Sequence, residues 1–393
     1  MDNPMIVAGA GIGGLSAALG LAKAGRNVIV LEQASQLGEI GAGIQLGPNA
    51  FHCFDYLGIG DKARGVAVNV DALRMMDATD GTEIARMVTG DAFVERFRNP
   101  YAVVHRGELH AVLQEACEAN PRIKVRTGMR VTGYRRSGQE VAAQVDGSDD
   151  VIGRALIGAD GLHSKIRAQL VGDGDPRISG HATYRTVIPI EKMPADLRWN
   201  MMTLWAGPKC HLVHYPLKGG KFFNLVVTYH RDMKEAVSGR PVSNAEVREG
   251  FEHICDQALQ IIDFGENWKL WVLCDREPIR TWTDGNVALL GDAAHPMMQY
   301  LAQGACMAME DAVGLSDLVS KAGDTIEDAL KTYESRRVAR TARVQLTARL
   351  FGDYVFHPGG AAAHARNAVM SARTQAEWYD TAHWLYDGSG LQG

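Results

Sequence analysis

The segment Gly9-Ala-Gly11-Ile-Gly13-Gly14 admits few backbone solutions. It follows a short apolar run, Met5 to Ala8. It precedes Leu15 to Ala24, where apolar residues recur at helical spacing until Gly25. A second apolar run, Val28 to Leu31, closes at Glu32. Strand, tight turn, helix and parallel strand are predicted in that order. Gly9 lets the chain turn sharply, Gly11 lets backbone approach a pyrophosphate, and Gly14 lets the helix pack close to the strand. The helix N-terminus offers N–H groups and a partial positive charge to the phosphates. Glu32, 18 residues beyond Gly14, stands where a carboxylate can accept from an adenosine ribose and disfavour a 2′-phosphate. A dinucleotide site is expected, with NAD and FAD both open.

The uncharged stretch Pro4 to Ala22 is not read as a leader or a membrane span, because it lacks a basic start and is rich in glycine. The six cysteines form no C-x-x-C pair and no zinc-ligand spacing, so reduced thiols, a cytoplasmic location and no metal are expected. A net charge of -5 gives no sign of a nucleic-acid partner. Arg336, Arg337, Arg340, Arg343 and Arg349 are read as a solvated or salt-bridged helix face.

The 393 residues suffice for two or three units. Arg106 to Glu118 reads as a helix; Val125, Val131 and Val141 to Val145 read as strand positions. Ala155 to Ala159 is a buried-strand run ending at Asp160-Gly161. From about residue 176 to 275 the pattern alternates and holds several tryptophans, which predicts an antiparallel sheet. A buried strand returns at Asn286 to Leu290 and leads into Gly291-Asp292-Ala-Ala-His295-Pro296. From Ile326 the chain reads as helical.

Two motifs follow strands, as the first does. In Asp160-Gly161-Leu-His-Ser164-Lys-Ile-Arg167, Ser164 can cap the next helix. Asp292 would be delivered to a strand's C-terminal end, where cofactors lie in open α/β sheets, and could accept from ribityl hydroxyls. Gly304 and Ala305 then begin a helix whose N–H groups could face a flavin pyrimidine edge.

The three ordered motifs together resemble the single-component FAD-dependent aromatic hydroxylases over about residues 1 to 345. The resemblance implies FAD, reduction by NADH or NADPH, and activation of O2 as an electrophilic flavin hydroperoxide. It implies that Asp160 and its neighbours help hold FAD, that Arg106 sits near the flavin, and that the loop from Gly41 through Gly43 to Leu46 passes along the ring. The fold implied is α/β: a discontinuous Rossmann-like FAD-binding domain (1–72, 99–176, 275–345), an inserted antiparallel β-sheet substrate domain (73–98, 177–274) and a helical C-terminal segment (346–393).

The inserted sheet should supply the pocket. In Lys209 to Pro216 side chains alternate, so His211, Val213 and Tyr215 share one face while Cys210, Leu212 and His214 share the other. The His211/Tyr215 face is expected toward the flavin, His211 as base toward a phenol, His214 as the rival base, and His295 as a structural residue beside the flavin. The family commonly has proline where this chain has Gln299. A buried amide needs partners, and a role orienting the phenol or His211 is expected for it. Met298-Gln299-Tyr300-Leu301 with His211-x-x-x-Tyr215 resembles the branch that hydroxylates 3-hydroxybenzoate para to its phenol. A salicylate or hydroxynicotinate hydroxylase, or a non-catalytic flavin sensor, are the alternatives. The expected partners are a small aromatic acid and O2. Arg185, Tyr184 or backbone N–H groups could take the substrate carboxylate. Trp378, Tyr379, Trp384 and Tyr386 are expected to pack on the core, or on a second copy in a homodimer.

Overall fold

A computed structural model of the chain describes residues 3–38, 42–322, 326–388 and 391; Gly41, expected on the flavin loop, lies outside them. The glycine-rich segment closes between the strand Met5–Ala8 and the helix Ile12–Lys23. Met5–Ala8 pairs in parallel with Val28–Leu31 on one side and Ala155–Gly158 on the other. Ile123–Arg126 and Val287–Leu289 extend this sheet in parallel, and Thr283–Asp284 adds an antiparallel edge. Its four central strands are wholly apolar because both faces are covered, while the edge strands Ile123–Arg126 and Thr283–Asp284 carry polar residues. The helix Gly304–Lys321 lies against Ile12–Lys23. A Cβ on Gly13 would sit 3.1 Å from that of Ala308, and the Gly20 carbonyl accepts from Ser316. Small residues on both helices allow that approach.

The second large sheet has eight strands. Its centre is antiparallel: Arg177–Pro189, Phe222–His230, Cys210–Leu217 and Met202–Gly207. Met202–Gly207 then pairs in parallel with Ala72–Asp77, which forms a hairpin with Glu83–Val88. The sheet therefore draws on two separated stretches of chain. One face is apolar and is covered by the helix Asp256–Asp263, around buried Trp205, Trp268 and Phe223. The other face looks back at the first sheet.

The helix Ile326–Phe351 runs into a π-helical turn, Gly352–Phe356, followed by Gly360–Ser371 and Gln375–Tyr386. The last is started by a capping box between Thr374 and Glu377. Its aromatics turn inward on the same chain. Tyr386 meets Phe93, Phe97 and Tyr101 edge-on, and Tyr379 meets Phe93 and Phe97.

The arginine-rich face of Ile326–Phe351 takes the second of the two states expected for it, salt-bridged rather than solvated. Arg337 is 2% exposed and binds both Glu310 and Asp311. Arg340 binds Glu310, and Arg349 binds Asp275. The face is salt-bridged and, at Arg337, not solvated, because it packs on two carboxylates of the neighbouring helix.

Candidate active site

The two sheets and the C-terminal helices enclose one cavity of about 590 Å³. One end is lined by Gly11, Gly13, Arg106, Gly161, Asp292, Gly304 and Ala305. The other is lined by Arg185, His211, Val213, Tyr215 and Gln299, with Trp378, Trp384 and Tyr386 as a further wall.

At the first end the glycines divide their work. A Cβ on Gly14 would lie 1.9 Å from the Gly9 carbonyl oxygen, and one on Gly9, where φ is 104°, 2.4 Å from that of Ala159. Both positions exist only for glycine. A Cβ on Gly11 would meet nothing within 4 Å. That open space beside an N-terminus with no side-chain cap is a cradle a phosphate can fill. Gly304 is similar. It opens an 18-residue helix without a side-chain cap, and the nearest atom to its Cβ would be Asp292 Oδ1 at 3.8 Å. Asp292 is exposed to the cavity. Cradles, free helix start and projecting carboxylate suit the phosphates, hydroxyls and ring edge of FAD.

Gly14→Ala is expected to lower the thermal midpoint and yield protein without flavin, since its clash is with backbone. Gly11→Ala is expected to leave the midpoint of the flavin-free protein unchanged while weakening flavin affinity. Melting curves and the flavin-to-protein absorbance ratio check both.

Two of the expected cofactor residues serve the turns themselves. Glu32 accepts the Ala10 N–H through Oε2 and the Ala34 N–H through Oε1, each at 2.8 Å, which ties the strand end to the glycine turn. Asp160 accepts from Ser164 Oγ and the Lys165 and Ile166 N–H groups, while Ser164 caps the Arg167 N–H. Its neighbours Ala159 and Gly161 line the cavity. Arg167 is fully buried. It pairs with Asp173 and donates to the carbonyls of Ala293 and Ala294, holding the turn that presents Asp292.

His295 is buried against Asp311, which also accepts the Gly291 N–H and pairs with Arg337. Burial pushes the Asp311 pKa up, but His295 and Arg337 outweigh it and hold the carboxyl at about 2. A depressed folded-state pKa adds stability that is full above the unfolded value, about 3.9, and is lost as pH falls through the folded one. The contribution is about 2–3 kcal/mol. Wild type is therefore expected to exceed Asp311→Asn in denaturant stability at neutral pH, with the gap closing between pH ~4 and ~2.

At the second end the strand Cys210–Leu217 turns His211, Val213 and Tyr215 to the cavity. Its other face is packed in the sheet core, where His214 accepts the Trp205 indole N–H at 3.0 Å and stacks on Phe223. His214 is thereby removed as the rival base.

Gln299 finds its partners within the chain. Its Oε1 accepts from Arg185 at 2.7 Å and its Nε2 donates to Thr228 Oγ1 at 3.2 Å. The amide bridges the 3₁₀ turn Gln299–Leu301 to the sheet, and its bonds go to these two groups, not to His211. Tyr184 points to the other face of its strand, its hydroxyl accepting from Arg231. Arg185 faces the cavity, and its Nε–H is buried with no partner among the described residues. Burial lowers the guanidinium's pKa, as expected for a cation short of a counter-charge.

His211, 1% exposed, pairs through Nδ1 with Nε2 of His357 at 2.7 Å. His357 pairs through Nδ1 with Nε2 of His230 at 2.9 Å. His181 stacks on His230 and bonds to the Tyr300 hydroxyl. No sequence pattern foretold this group, since its members come from three strands and the C-terminal segment.

The chain matches the model of the FAD binding domain family over residues 2–348. It is 52% identical over 386 residues to 3-hydroxybenzoate 6-hydroxylase 1 of Aquipseudomonas alcaligenes, covering 98% of each chain. It is 48% identical over 385 residues to 3-hydroxybenzoate 6-hydroxylase of Polaromonas naphthalenivorans (strain CJ2), covering 98% of this chain and 96% of that one. Among solved structures, Klebsiella pneumoniae HpxO complexed with FAD and uric acid superposes with a TM-score of 0.87 at 25% identity, over 98% of this chain and 97% of that one.

Proposed function

The chain belongs to the FAD binding domain family, and from that premise we propose that it is a flavin-dependent monooxygenase converting 3-hydroxybenzoate to 2,5-dihydroxybenzoate. Relatives at 45–52% identity carry the 3-hydroxybenzoate 6-hydroxylase name, and position 6 is para to the phenol. They lend no support to a flavin sensor without turnover. The observation that carries the reading is continuity. One cavity runs from the glycine cradle and Asp292 to a cation short of a partner, an imidazole and a phenol side chain. An aromatic acid supplies what that far end lacks, a carboxylate and an ionisable hydroxyl.

FAD, reduced by NADH or NADPH, supplies the activated oxygen atom when bound. Gly9, Gly11, Gly13 and Gly14 shape the turn under its phosphates, with Glu32 bracing it and open to a ribose. Asp292 accepts from its hydroxyls, and the Gly304 and Ala305 N–H groups with Arg106 serve its ring. Asp160 and Arg167 position the loops that present these groups.

Toward the substrate, Arg185 takes the carboxylate, held in place by Gln299. His211 takes the phenol proton, because a phenolate pushes electron density to its ortho and para carbons. Tyr215 packs beside the ring. Arg185 is chosen over Tyr184 on the orphaned guanidinium N–H. Residues 1–72, 99–176 and 275–345 make the cofactor unit in this reading, and 73–98 with 177–274 the substrate unit. The segment 346–393 closes the cavity.

Product identification from 3-hydroxybenzoate, NADH and O2 tests the proposal, with salicylate and 6-hydroxynicotinate as competing substrates. Preferential turnover of either competitor would overturn the ring assignment. A cytoplasmic homodimer belongs to the same reading. The support for the homodimer is an exposed apolar stripe, Leu346, Leu350 and Tyr354, at i, i+4 and i+8. Sedimentation velocity reads the state directly.

A further inference from the structure

A base in this site faces a difficulty. His211 is enclosed, and burial, with His181 and His230 nearby, drives its pKa down to about 3. A proton left there would be a buried, uncompensated charge. The geometry points to a way around it: His211, His357 and His230 form a proton relay that carries the phenol proton from the cavity to the protein surface. The inference rests on the reading of His211 as the group facing the phenol.

The hydrogen bonds have the pattern a relay needs. A neutral imidazole has one donor and one acceptor nitrogen. Both nitrogens of His357 are engaged, Nε2 with His211 and Nδ1 with His230. With Nδ1 of His211 spent on His357, Nε2 is the nitrogen left for a substrate. Two tautomer sets satisfy the chain, every ring protonated on Nδ1 or every ring on Nε2, and the relay starts from the first. The phenol O–H bond breaks as a proton joins His211 Nε2. His211 Nδ1–H passes to His357 Nε2, His357 Nδ1–H passes to His230 Nε2, and His230 Nδ1–H is lost to water. The phenol becomes phenolate, all three rings end neutral, and both inter-ring hydrogen bonds survive with donor and acceptor exchanged.

The chain has an inside and an outside end. His211 and His357 are 1% and 6% exposed, while His230 is partly exposed. Asp353, Lys209 and Asp232 face the His230 end. His357 is fixed from both sides of its peptide: its N–H donates to the Gly352 carbonyl, and its carbonyl accepts from the Lys209 N–H. His181, flanked by Arg177, Asp232 and Asp275, stacks on His230 and bonds to Tyr300, buttressing the path. The ligand nitrogens of His181, His230 and His357 lie within 4.8 Å of one another, as a metal site would require. Four of the six ring nitrogens are, however, engaged in hydrogen bonds: His230 Nε2 with His357 Nδ1, His357 Nε2 with His211, and His181 Nδ1 with Tyr300. The C-terminal segment thus supplies the middle carrier of the path.

The test uses the FAD-loaded enzyme and 3-hydroxybenzoate. Stopped-flow mixing with a pH indicator reads proton release, and the ultraviolet phenolate band reads ionisation of the bound ring. His357→Phe is expected to slow both by about a hundredfold with substrate affinity retained. His357→Gln, closer in polarity, is expected to keep wild-type flavin content and melting and still be slow. His230→Ala is expected to be slow and to be rescued by added imidazole, an effect that a purely structural role would not produce. Wild-type rates in both His357 variants overturn the relay. The base reading fails separately, by normal ionisation in His211→Ala. Lost ionisation there with fast His357 variants removes the relay alone.

Discussion

His211→Ala is expected to lower hydroxylated product formed per NADH oxidised by about a hundredfold or more, with hydrogen peroxide rising to match. Flavin content should be unchanged, because His211 is carried by the second sheet and not by the glycine turn or the turn that presents Asp292. Substrate-stimulated NADH oxidation should persist. The physical reason is selective. Oxygen transfer to a ring carbon needs electron density there, which a phenolate supplies and a phenol does not. Flavin reduction needs neither. Quantifying product and peroxide against NADH in the same reaction separates the steps. Undiminished coupling in His211→Ala would remove the residue from the mechanism. Gln299→Ala is expected to uncouple less severely, since its direct losses are one acceptor for Arg185 and one donor to Thr228.

The second large effect is expected at Arg185. Truncating one partner of a buried charge pair costs about 2–5 kcal/mol. Arg185→Ala should therefore weaken 3-hydroxybenzoate binding by about 30- to 5,000-fold, read as a dissociation constant from flavin spectral perturbation. Arg185→Lys keeps the charge but loses the planar fork, so it should recover only part of the affinity. A ligand series sharpens the test. Phenol lacks the carboxylate, so its weak binding should be insensitive to Arg185→Ala. Equal weakening of phenol and 3-hydroxybenzoate would reassign Arg185 to holding Gln299 and the turn around it.

Much of the scaffold was readable along the chain. The predicted strands at Met5 to Ala8 and Val28 to Leu31 coincide with those in the structure, and the Arg106 to Glu118 helix is found at those bounds. Alternation in Cys210–Leu217 sorted its side chains onto two faces, and His211 with Tyr215 does line the cavity. The resemblance put 73–98 in one unit with 177–274, but the parallel pairing of Met202–Gly207 with Ala72–Asp77 was not readable, because nothing local marks a strand partner more than a hundred residues away. Whether Arg337 would be solvated or salt-bridged was open for a related reason. On its own helix it is one of several arginines, and only packing puts Glu310 and Asp311 against it. Gln299 was read as an amide in need of partners, with the phenol or His211 expected; within the chain its bonds go to Arg185 and Thr228, which nothing local to Gln299 marks.

What the sequence determined by itself is what depends on neighbours in the chain: the glycine turn, the helix starts, the strand faces and the order of three cofactor-type motifs. Side-chain period and left-handed backbone are local properties, so they survive without tertiary context. The tertiary structure alone decided which polar atoms meet. It set Gln299 between Arg185 and Thr228, left one N–H of Arg185 open, and joined His211 to His357 from 146 residues away. Such encounters are set by how sheets and helices stack. No periodicity records them, and the chemistry of the cavity depends on them.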